Sequence, residues 1–190
     1  MRIIAGKFKG KKLAKSDHLE ELRPTTDRCR EALFNILSSG RVKESYNFEL
    51  KDANVLDLCC GSGAIAFEAL SRLAKSATLI DKNFQHLELA KKNAEILGVA
   101  HQTTFLNYDA AKLPENNQIF DLIFIDPPYE QDYQKILSSI ASWVSDKSLI
   151  IIENRSSSNS IDQSNNLEIL EERIYGQSRF TFLKRKSSES

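Results

Sequence analysis

The chain has 190 residues, of which 41% are hydrophobic and 27% are charged, and its formal net charge is zero. These values are typical of one globular domain with enough apolar residues to bury a core. No apolar run reaches the roughly 20 residues that a membrane span needs, and the first residues lack the apolar segment of a secretory signal. We therefore expect a cytoplasmic protein with no membrane partner.

The cysteines and histidines do not form a metal-binding pattern. Cys59 and Cys60 are adjacent, no two cysteines have the C-x-x-C spacing, and the three histidines are scattered along the chain. Structural zinc sites need such clustered ligands. The sequence therefore predicts reduced thiols and no bound metal.

The net charge of zero hides an uneven distribution. Residues 1–30 carry nine Lys/Arg and four Asp/Glu, whereas the other 160 residues carry 17 and 22. Six cations and no acid lie in the first 15 residues: Arg2, Lys7, Lys9, Lys11, Lys12 and Lys15. A polyanion such as RNA is the natural partner of such a segment, because neutralised phosphates release counterions. The alternative is a solvated basic arm with no binding role.

The first 40 residues predict a short β element and a helix. In residues 2–13 apolar residues alternate with lysines, and glycines supply turns. The helix that follows has Thr26 as its N-cap and is expected to end at Gly40. Its apolar stripe leaves Arg28 and Arg30 outside the buried face.

From about residue 53 the chain alternates between strands and helices. Five strands are predicted, with the sequences NVLDLCC, ATLID, TTFLNYD, DLIFID and SLIIIEN. Helices at 84–97 and about 132–144 separate some of them, and LEILEERIY and SRFTFLKRK flank a turn at Gly176. Nearly continuous apolar strands indicate a parallel sheet covered on both faces. We expect an α/β, Rossmann-like fold: a seven-stranded, mostly parallel sheet with a C-terminal antiparallel hairpin.

Each predicted strand of the parallel sheet ends near a carboxylate. These residues are Asp57, Asp81, Asp109, Asp126 and Glu153. Ligands of open α/β sheets bind beyond the carboxyl ends of the strands. A single acid there could be a chance surface residue, but a row of them can bind hydroxyls, amines or a cation.

A glycine-rich turn follows the first of these strands. Gly61, Gly63 and Ala66 fit the dinucleotide pattern G-x-G-x-x-A, and Asp81 stands about 20 residues later, where a ribose-binding acid is expected. An NAD(P) oxidoreductase is therefore an alternative. Asp57, four residues before Gly61, would face a pyrophosphate unfavourably and suits the ammonium group of a zwitterionic cofactor better.

The motif Asp126-Pro127-Pro128-Tyr129 follows a buried strand. The two prolines fix the backbone and remove two N–H donors, so that the carboxylate and a carbonyl remain as acceptors. These acceptors can take the two hydrogens of an exocyclic NH₂ group, while the tyrosine ring can stack on an unpaired base. The alternative is a tight turn with a core tyrosine.

With these motifs, the chain resembles the family of bacterial small-subunit ribosomal RNA (guanine-N2) methyltransferases, which are class I S-adenosylmethionine-dependent methyltransferases. The segments that carry the resemblance are RIIAGKFKGKKL, LRPTTDRCREALFNIL, VLDLCCGSGAIAFEALSR, LIDKN, FIDPPY and LIIIEN. Two details depart from the usual pattern: Cys59-Cys60 replaces a phenylalanine-alanine type of pair, and Asp81 stands where Glu is frequent. Neither removes a needed functional group.

The resemblance implies roles for individual residues. The cofactor is S-adenosylmethionine, with its methionine part at Asp57, Gly61 and Gly63, its ribose at Asp81 and its adenine at Asp109 and Ala110. The target base is engaged by the catalytic group Asp126, Pro127, Pro128 and Tyr129. The candidate RNA-binding residues are Arg2, Lys7, Lys9, Lys11, Lys12, Arg23 and Arg28.

The expected organisation is a basic N-terminal element at residues 1–40 that contacts RNA and a methyltransferase domain at residues 41–190. We expect a monomer that modifies ribosomal RNA within a small-subunit assembly particle. Two alternatives remain besides the oxidoreductase. One is an adenine-N6 methyltransferase of RNA or DNA, which would use the same four-residue motif, and the other is a non-catalytic RNA-binding module.

Overall fold

A computed structural model describes residues 1–15, 26–128, 132–157 and 166–186 of the chain. Within these ranges, seven strands form one sheet that carries helices on both faces. Arg23 and Tyr129, two of the predicted site residues, lie outside the described residues.

The sheet has the predicted mixture of parallel and antiparallel strands. Its strands are β1 Asn54–Leu58, β2 Ser76–Ile80, β3 Thr103–Leu106, β4 Leu122–Ile125, β5 Leu149–Arg155, β6 Leu167–Tyr175 and β7 Ser178–Arg185. Their order is β3-β2-β1-β4-β5-β7-β6. Strands β1 to β5 are parallel to one another, and β7 inserts antiparallel between β5 and β6. The strand order reverses between β1 and β4, which is where an open sheet of this kind binds its ligand.

Alternating side chains of the strands pack into two separate hydrophobic cores, one on each face of the sheet. Phe124 of β4 packs in the same cluster as Leu33 and Phe67, whereas its neighbour Ile125 packs with Trp143 on the opposite face. The helices that cover the sheet are α1 Asp27–Leu37, α2 Gly40–Tyr46, α3 Ala64–Ser71, α4 Phe84–Leu97 and α5 Tyr133–Ser139. The period-2 alternation of strand side chains thus places apolar residues on both faces, as expected for a covered parallel sheet.

Local capping signals explain the helix boundaries, with one prediction wrong. Thr26 caps α1 by accepting a hydrogen bond from the Cys29 amide at 3.2 Å, as predicted. The helix ends at Leu37 rather than at Gly40. The hydroxyl of Ser39 accepts from the Val42 amide and caps a second helix, so that Gly40 is the first residue of α2.

Among the remaining elements, one follows the prediction closely and two differ from it. Helix α4 spans the predicted residues, starting after the side-chain cap of Asn83 and ending at Gly98, whose φ is 76°. The predicted helix at 132–144 is divided: α5 ends at Ser139 and a short 3₁₀ turn follows at Ala141–Trp143. In residues 2–13 the β pairing is reduced to one antiparallel bridge between Arg2 and Lys12.

The prediction that Arg30 lies outside the buried face of α1 is wrong. Arg30 is fully buried. Its guanidinium donates to the Arg2 carbonyl at 2.6 Å, pairs with Asp27 at 3.0 Å and lies 3.9 Å from the carboxylate of Glu68 on α3. A buried cation is tolerated where carboxylates compensate for its lost hydration, and here Glu68 lies far along the chain.

Candidate active site

The carboxyl ends of β1, β2 and β4 lie level with one another. Leu58 pairs with Ile80 on one side and with Ile125 on the other. The next residue of each strand therefore begins a loop at the same edge of the sheet. These residues are Cys59, Asp81 and Asp126, so that the structure brings two of the predicted site acids together beside Cys59.

The turn after β1 needs its glycines. Gly61 has φ 53° and Gly63 has φ 78°, in the left-handed region. A Cβ atom on Gly63 would lie 2.5 Å from the ring of Phe67 and 2.8 Å from the side chain of Leu79. The turn therefore packs tightly against the sheet and leads directly into α3.

Asp57 lies inside β1, one residue before its end, and is only 2% exposed. Its carboxylate accepts a hydrogen bond from the Ala66 amide in the first turn of α3 at 3.1 Å. Burial raises the pKa of Asp57 to about 8, helped by the charge of Asp81 and opposed by the Ala66 hydrogen bond. A carboxyl group in this state gains its charge readily when a cation is placed beside it.

Asp81 follows β2 and holds the glycine turn in place. Its carboxylate accepts from the Gly61 amide at 2.9 Å, from the Asn83 amide at 2.8 Å and lies 3.1 Å from His86 Nδ1. Burial alone would raise the pKa of Asp81, but these hydrogen bonds outweigh burial and lower it. Asp81 therefore stays ionised and keeps about one of its four lone-pair positions for a further donor.

The third acid, Asp126, begins the loop after β4. Its amide donates to the Leu58 carbonyl at 3.3 Å, which extends the pairing of β4 with β1 by one residue. Pro127 is buried and Pro128 is exposed. The prolines therefore leave the sheet directly beside the glycine turn, and Tyr129 follows them in sequence.

Asp109 and Ala110 lie beyond the end of β3. Asp109 accepts from the Ala111 amide at 2.9 Å and so caps a 3₁₀ turn at Ala110–Lys112. Ala110 is buried and its carbonyl accepts from the Ser139 hydroxyl of α5. These two residues stand at the same edge of the sheet as the acids, and β2 and β1 separate their strand from that of Asp126.

The centre of the site is acidic. Burial raises the pKa of the Cys59 thiol, and the carboxylates of Asp81, Asp126 and Asp57 raise it further, against a weaker opposing effect of Lys82. Asp81 is ionised, and Asp57 can ionise when a cation is placed beside it, so this group of acids favours a cation and opposes a pyrophosphate. The residues therefore fit a cofactor that carries ammonium and sulfonium groups, and they argue against the dinucleotide alternative.

A prediction follows from the buried acid. Between the usual pKa of an aspartate and about pH 8, the folded protein keeps a proton on Asp57 that the unfolded chain releases. The contribution of Asp57 to stability is therefore full at acid pH and is lost as the pH rises towards 8. We expect Asp57→Asn to raise the melting temperature by an amount that grows between pH 5 and pH 8 and then levels off.

Thermal unfolding of both proteins across this pH range measures the effect. The Asn83→Ala variant, which removes a helix cap near the site without removing a titrating group, is the control and should give a pH-independent difference. A constant difference for Asp57→Asn would contradict a raised pKa.

The basic N-terminal arm, residues 1–15, is docked on the helices rather than free. Ile3 and Leu13 are buried in the core shared with α1 and α3. The carboxylate of Glu68 accepts from the Ile4 amide at 2.8 Å and from the Ala5 amide at 3.0 Å. The cations of the arm nevertheless stay on the surface, since these residues are all exposed: Arg2, Lys7, Lys9, Lys11, Lys12 and Lys15.

The first turn of α1 contributes one further exposed cation. Arg28 is exposed, next to Asp27, which lies 3.7 Å from Arg2 and 3.0 Å from Arg30. Asp27 therefore pairs with Arg2 at the surface and with the buried Arg30 at the same time.

Sequence reasoning missed four residues that build this region: Arg30, Glu68, His86 and Asn93. Glu68 and Asn93 are fully buried polar side chains in otherwise apolar helix faces. A lone acid in the apolar run IAFEALS of α3 was the available signal for Glu68. His86, by contrast, is recognised only through its contact with Asp81.

The described part of the chain contains neither a membrane-spanning helix nor a cluster of metal ligands. Its helices are too short or too polar to cross a membrane. Its His, Cys, Asp and Glu side chains form no group of three or more suited to a metal ion.

Comparisons with known proteins show which proteins this chain is similar to. A family model described as Conserved hypothetical protein 95 matches residues 1–184. The chain is 30% identical to ribosomal RNA small subunit methyltransferase D of Escherichia coli K12, over 98% of this chain and 91% of that protein. It is 33% identical to the Haemophilus influenzae protein of the same name, over 80% of this chain and 78% of that protein.

Solved structures show the same architecture over the full length. The yhhF protein of Escherichia coli, described as a candidate methyltransferase, superposes with a TM-score of 0.79 at 30% identity and covers 99% of both chains. The match includes the N-terminal arm as well as the sheet. The chain therefore belongs to the Conserved hypothetical protein 95 family and is a class I methyltransferase.

Proposed function

We propose that the protein transfers a methyl group from S-adenosylmethionine to the exocyclic N2 amine of a guanine in small-subunit ribosomal RNA. The observation that carries the proposal is the cluster of Asp57, Asp81 and Asp126 around Cys59, with Pro127 beside it. This cluster combines an acidic cofactor site with hydrogen-bond acceptors for an amine.

The cofactor supplies an electrophilic methyl group on a sulfonium ion. In this proposal Asp57, which is hydrogen-bonded to the Ala66 amide, holds the ammonium group, and the glycine backbone at Gly61 and Gly63 allows the methionine part to approach closely. Asp81 offers its remaining lone-pair position to a ribose hydroxyl, and Asp109 and Ala110 border the adenine position. The loop that begins at Asp126 lies at the same edge of the sheet as these residues.

The amine of guanine is a poor nucleophile because its lone pair is delocalised into the ring. The Asp126 carboxylate and the Pro127 carbonyl accept its two hydrogens and so pull the nitrogen towards tetrahedral geometry. The bound cofactor would supply its methyl group to this nitrogen and would leave as neutral S-adenosylhomocysteine. Positive charge develops on nitrogen beside Asp126, which stabilises it electrostatically. One proton leaves this nitrogen only after transfer, when it has become acidic, and passes to Asp126 or to water, so Asp126 need not be a strong base.

The RNA assignment rests on the arm and on the relatives. The exposed cations of residues 1–15 present a basic surface to phosphates, and two relatives bear the name ribosomal RNA small subunit methyltransferase D. We therefore propose that it acts as a monomer in the cytoplasm and recognises the shape of an assembling small-subunit particle.

Neutralising the arm is expected to weaken RNA binding without unfolding the protein. The variant replaces four exposed lysines by glutamine: Lys7, Lys9, Lys11 and Lys12. Deleting the arm would also remove Ile3 and Leu13 from the core, so substitution is the sharper experiment. We expect RNA affinity to fall and the salt dependence to flatten by about 0.7–0.9 in slope for each phosphate that the arm no longer neutralises.

The matched control replaces four exposed lysines elsewhere by glutamine: Lys51, Lys75, Lys135 and Lys147. Titration of labelled RNA at several salt concentrations compares the two variants at equal net charge. If both change the slope equally, net charge rather than the arm determines RNA binding.

A transfer assay with isotopically labelled cofactor tests the substrate. We expect N2-methylguanosine after digestion of the product RNA, with protein-bound small-subunit particles as better substrates than short oligonucleotides. An N6-methyladenosine product, or a methylated DNA base, would support the alternative specificity instead. No transfer to any nucleic acid, despite cofactor binding, would refute the proposed function.

A further inference from the structure

The basic arm and the glycine turn share one buried side chain. Asn93 of α4 is fully buried. Its Oδ1 accepts from the Ala14 amide at 2.7 Å, and its Nδ2 donates to the Ser62 carbonyl at 3.1 Å. Ala14 belongs to the arm, and Ser62 lies between the two glycines of the turn. A single amide group therefore connects the predicted RNA-binding surface to the predicted cofactor site.

A second contact joins the same two segments directly. The Ser62 hydroxyl lies 3.9 Å from the sulfur of Met1, and Ser62 is only 8% exposed. The arm thus reaches the turn at both of its ends, directly at Met1 and through Asn93 at Ala14. Its middle is held elsewhere, because the Phe8 amide and the Ala5 carbonyl bond to the hydroxyl of Ser71 at the far end of α3.

The chemistry of an amide suits a link of this kind. One side chain donates to one segment and accepts from the other, so both bonds are made only when the two segments hold one relative position. The site is buried, and a displaced partner would leave an unsatisfied polar group, which is costly. A ligand that binds to the turn and an RNA that binds to the arm therefore both favour the same relative position of the turn and the arm.

We propose that Asn93 is a positioning residue that couples cofactor binding to RNA binding by fixing the arm against the glycine turn. This inference rests on the proposed function, since it takes the cofactor to the turn and RNA to the arm. It adds that each ligand strengthens the binding of the other, by the same factor in both directions.

The test measures RNA affinity with and without saturating S-adenosylhomocysteine, which binds without reacting. For the wild type we expect RNA to bind roughly fivefold or more tightly when the cofactor product is present. For Asn93→Ala we expect this ratio to fall to about one, whatever the change in stability. The matched control is Ser71→Ala, which cuts a buried arm contact that does not reach the turn. It should weaken RNA binding but keep the wild-type ratio.

Hydrogen exchange in the wild type makes the inference testable even if Asn93→Ala fails to fold. S-Adenosylhomocysteine should slow exchange of the Ala14 amide, bonded to Asn93, more than that of the Phe8 amide, bonded to Ser71. Equal slowing of both amides would show general stabilisation by a ligand and overturn the coupling. The wild type could also bind both ligands and transfer methyl groups, yet bind RNA equally tightly with and without S-adenosylhomocysteine. That result would overturn the coupling and leave the proposed function intact.

Discussion

Replacing Asp126 by alanine is expected to lower the rate of methyl transfer about a hundredfold or more, which is the usual cost of removing one group that stabilises transition-state charge. The affinity for S-adenosylhomocysteine should change little. Asp126 begins the loop after β4, and its amide bond to Leu58 is a backbone contact that alanine keeps. The substitution thus removes an acceptor for the amine while the loop retains its anchor.

Single-turnover rates and calorimetry separate the two effects. The Asp126→Asn variant keeps one acceptor oxygen and should retain part of the activity, whereas Asp146→Ala, which removes a mostly exposed carboxylate beside Arg185, should keep all of it. Equal losses of rate and cofactor affinity in Asp126→Ala would place this residue in the cofactor site and remove its proposed role towards the base.

Replacing Asp81 by alanine is expected to weaken cofactor binding by roughly tenfold to a hundredfold, corresponding to about 1.5–3 kcal/mol for removal of a charged hydrogen bond. The structure adds a second cost. The Gly61 and Asn83 amides and the ring of His86 would all be deprived of their partner. The glycine turn would then be tied to β2 by the bond from the Cys60 amide to the Ile80 carbonyl and no longer by the Asp81 side chain. We therefore expect a lower melting temperature together with the lower affinity.

The control for Asp81 is Asp121→Ala. Asp121 lies at the amino ends of the strands, away from the site, where its carboxylate accepts from the Asn54 amide at 2.8 Å. This variant should lower stability without changing cofactor affinity. A His86→Ala variant should show a smaller loss of affinity than Asp81→Ala because both backbone contacts remain. Tight NADH binding by the wild type, with no binding of S-adenosylmethionine, would contradict the cofactor assignment altogether.

The sheet and most helix boundaries were predictable because their signals are local. Helix α4 has a side-chain cap at Asn83 and a left-handed Gly98 at its end, and both signals lie in the sequence next to the helix they bound. The hairpin of β6 and β7 is likewise indicated by two alternating runs around Gly176. The two serines before Gly40 carried a competing capping signal, which is why the predicted end of α1 was wrong.

The burial of Arg30 could not be predicted from its neighbours. Its position on α1 suggested an exposed cation, but Glu68 approaches from α3, far along the chain, and compensates for burial. The same carboxylate holds the arm through the Ile4 and Ala5 amides. Such partners become visible only when the fold brings distant segments together.

The sequence predicted a row of acids at the ends of the strands. In the structure these acids differ in their positions and in their hydrogen-bond partners. Asp57 lies within β1 and is bonded to α3, whereas Asp81 and Asp126 follow their strands at one level. Spacing along the chain carried no indication that Asp81 would accept bonds from Gly61 and His86. Those contacts depend on the path of the turn, which Gly61 and Gly63 determine through positive φ angles.

Nucleoside mass spectrometry of small-subunit ribosomal RNA tests the proposed function most directly. The RNA is taken from cells that lack this protein, from cells that regain it and from cells that regain the Asp126→Ala variant. We predict one N2-methylguanosine that is absent without the protein, returns with the wild type and stays absent with the variant. An unchanged N2-methylguanosine content, accompanied by loss of N6-methyladenosine or of a methylated DNA base, would contradict the guanine assignment.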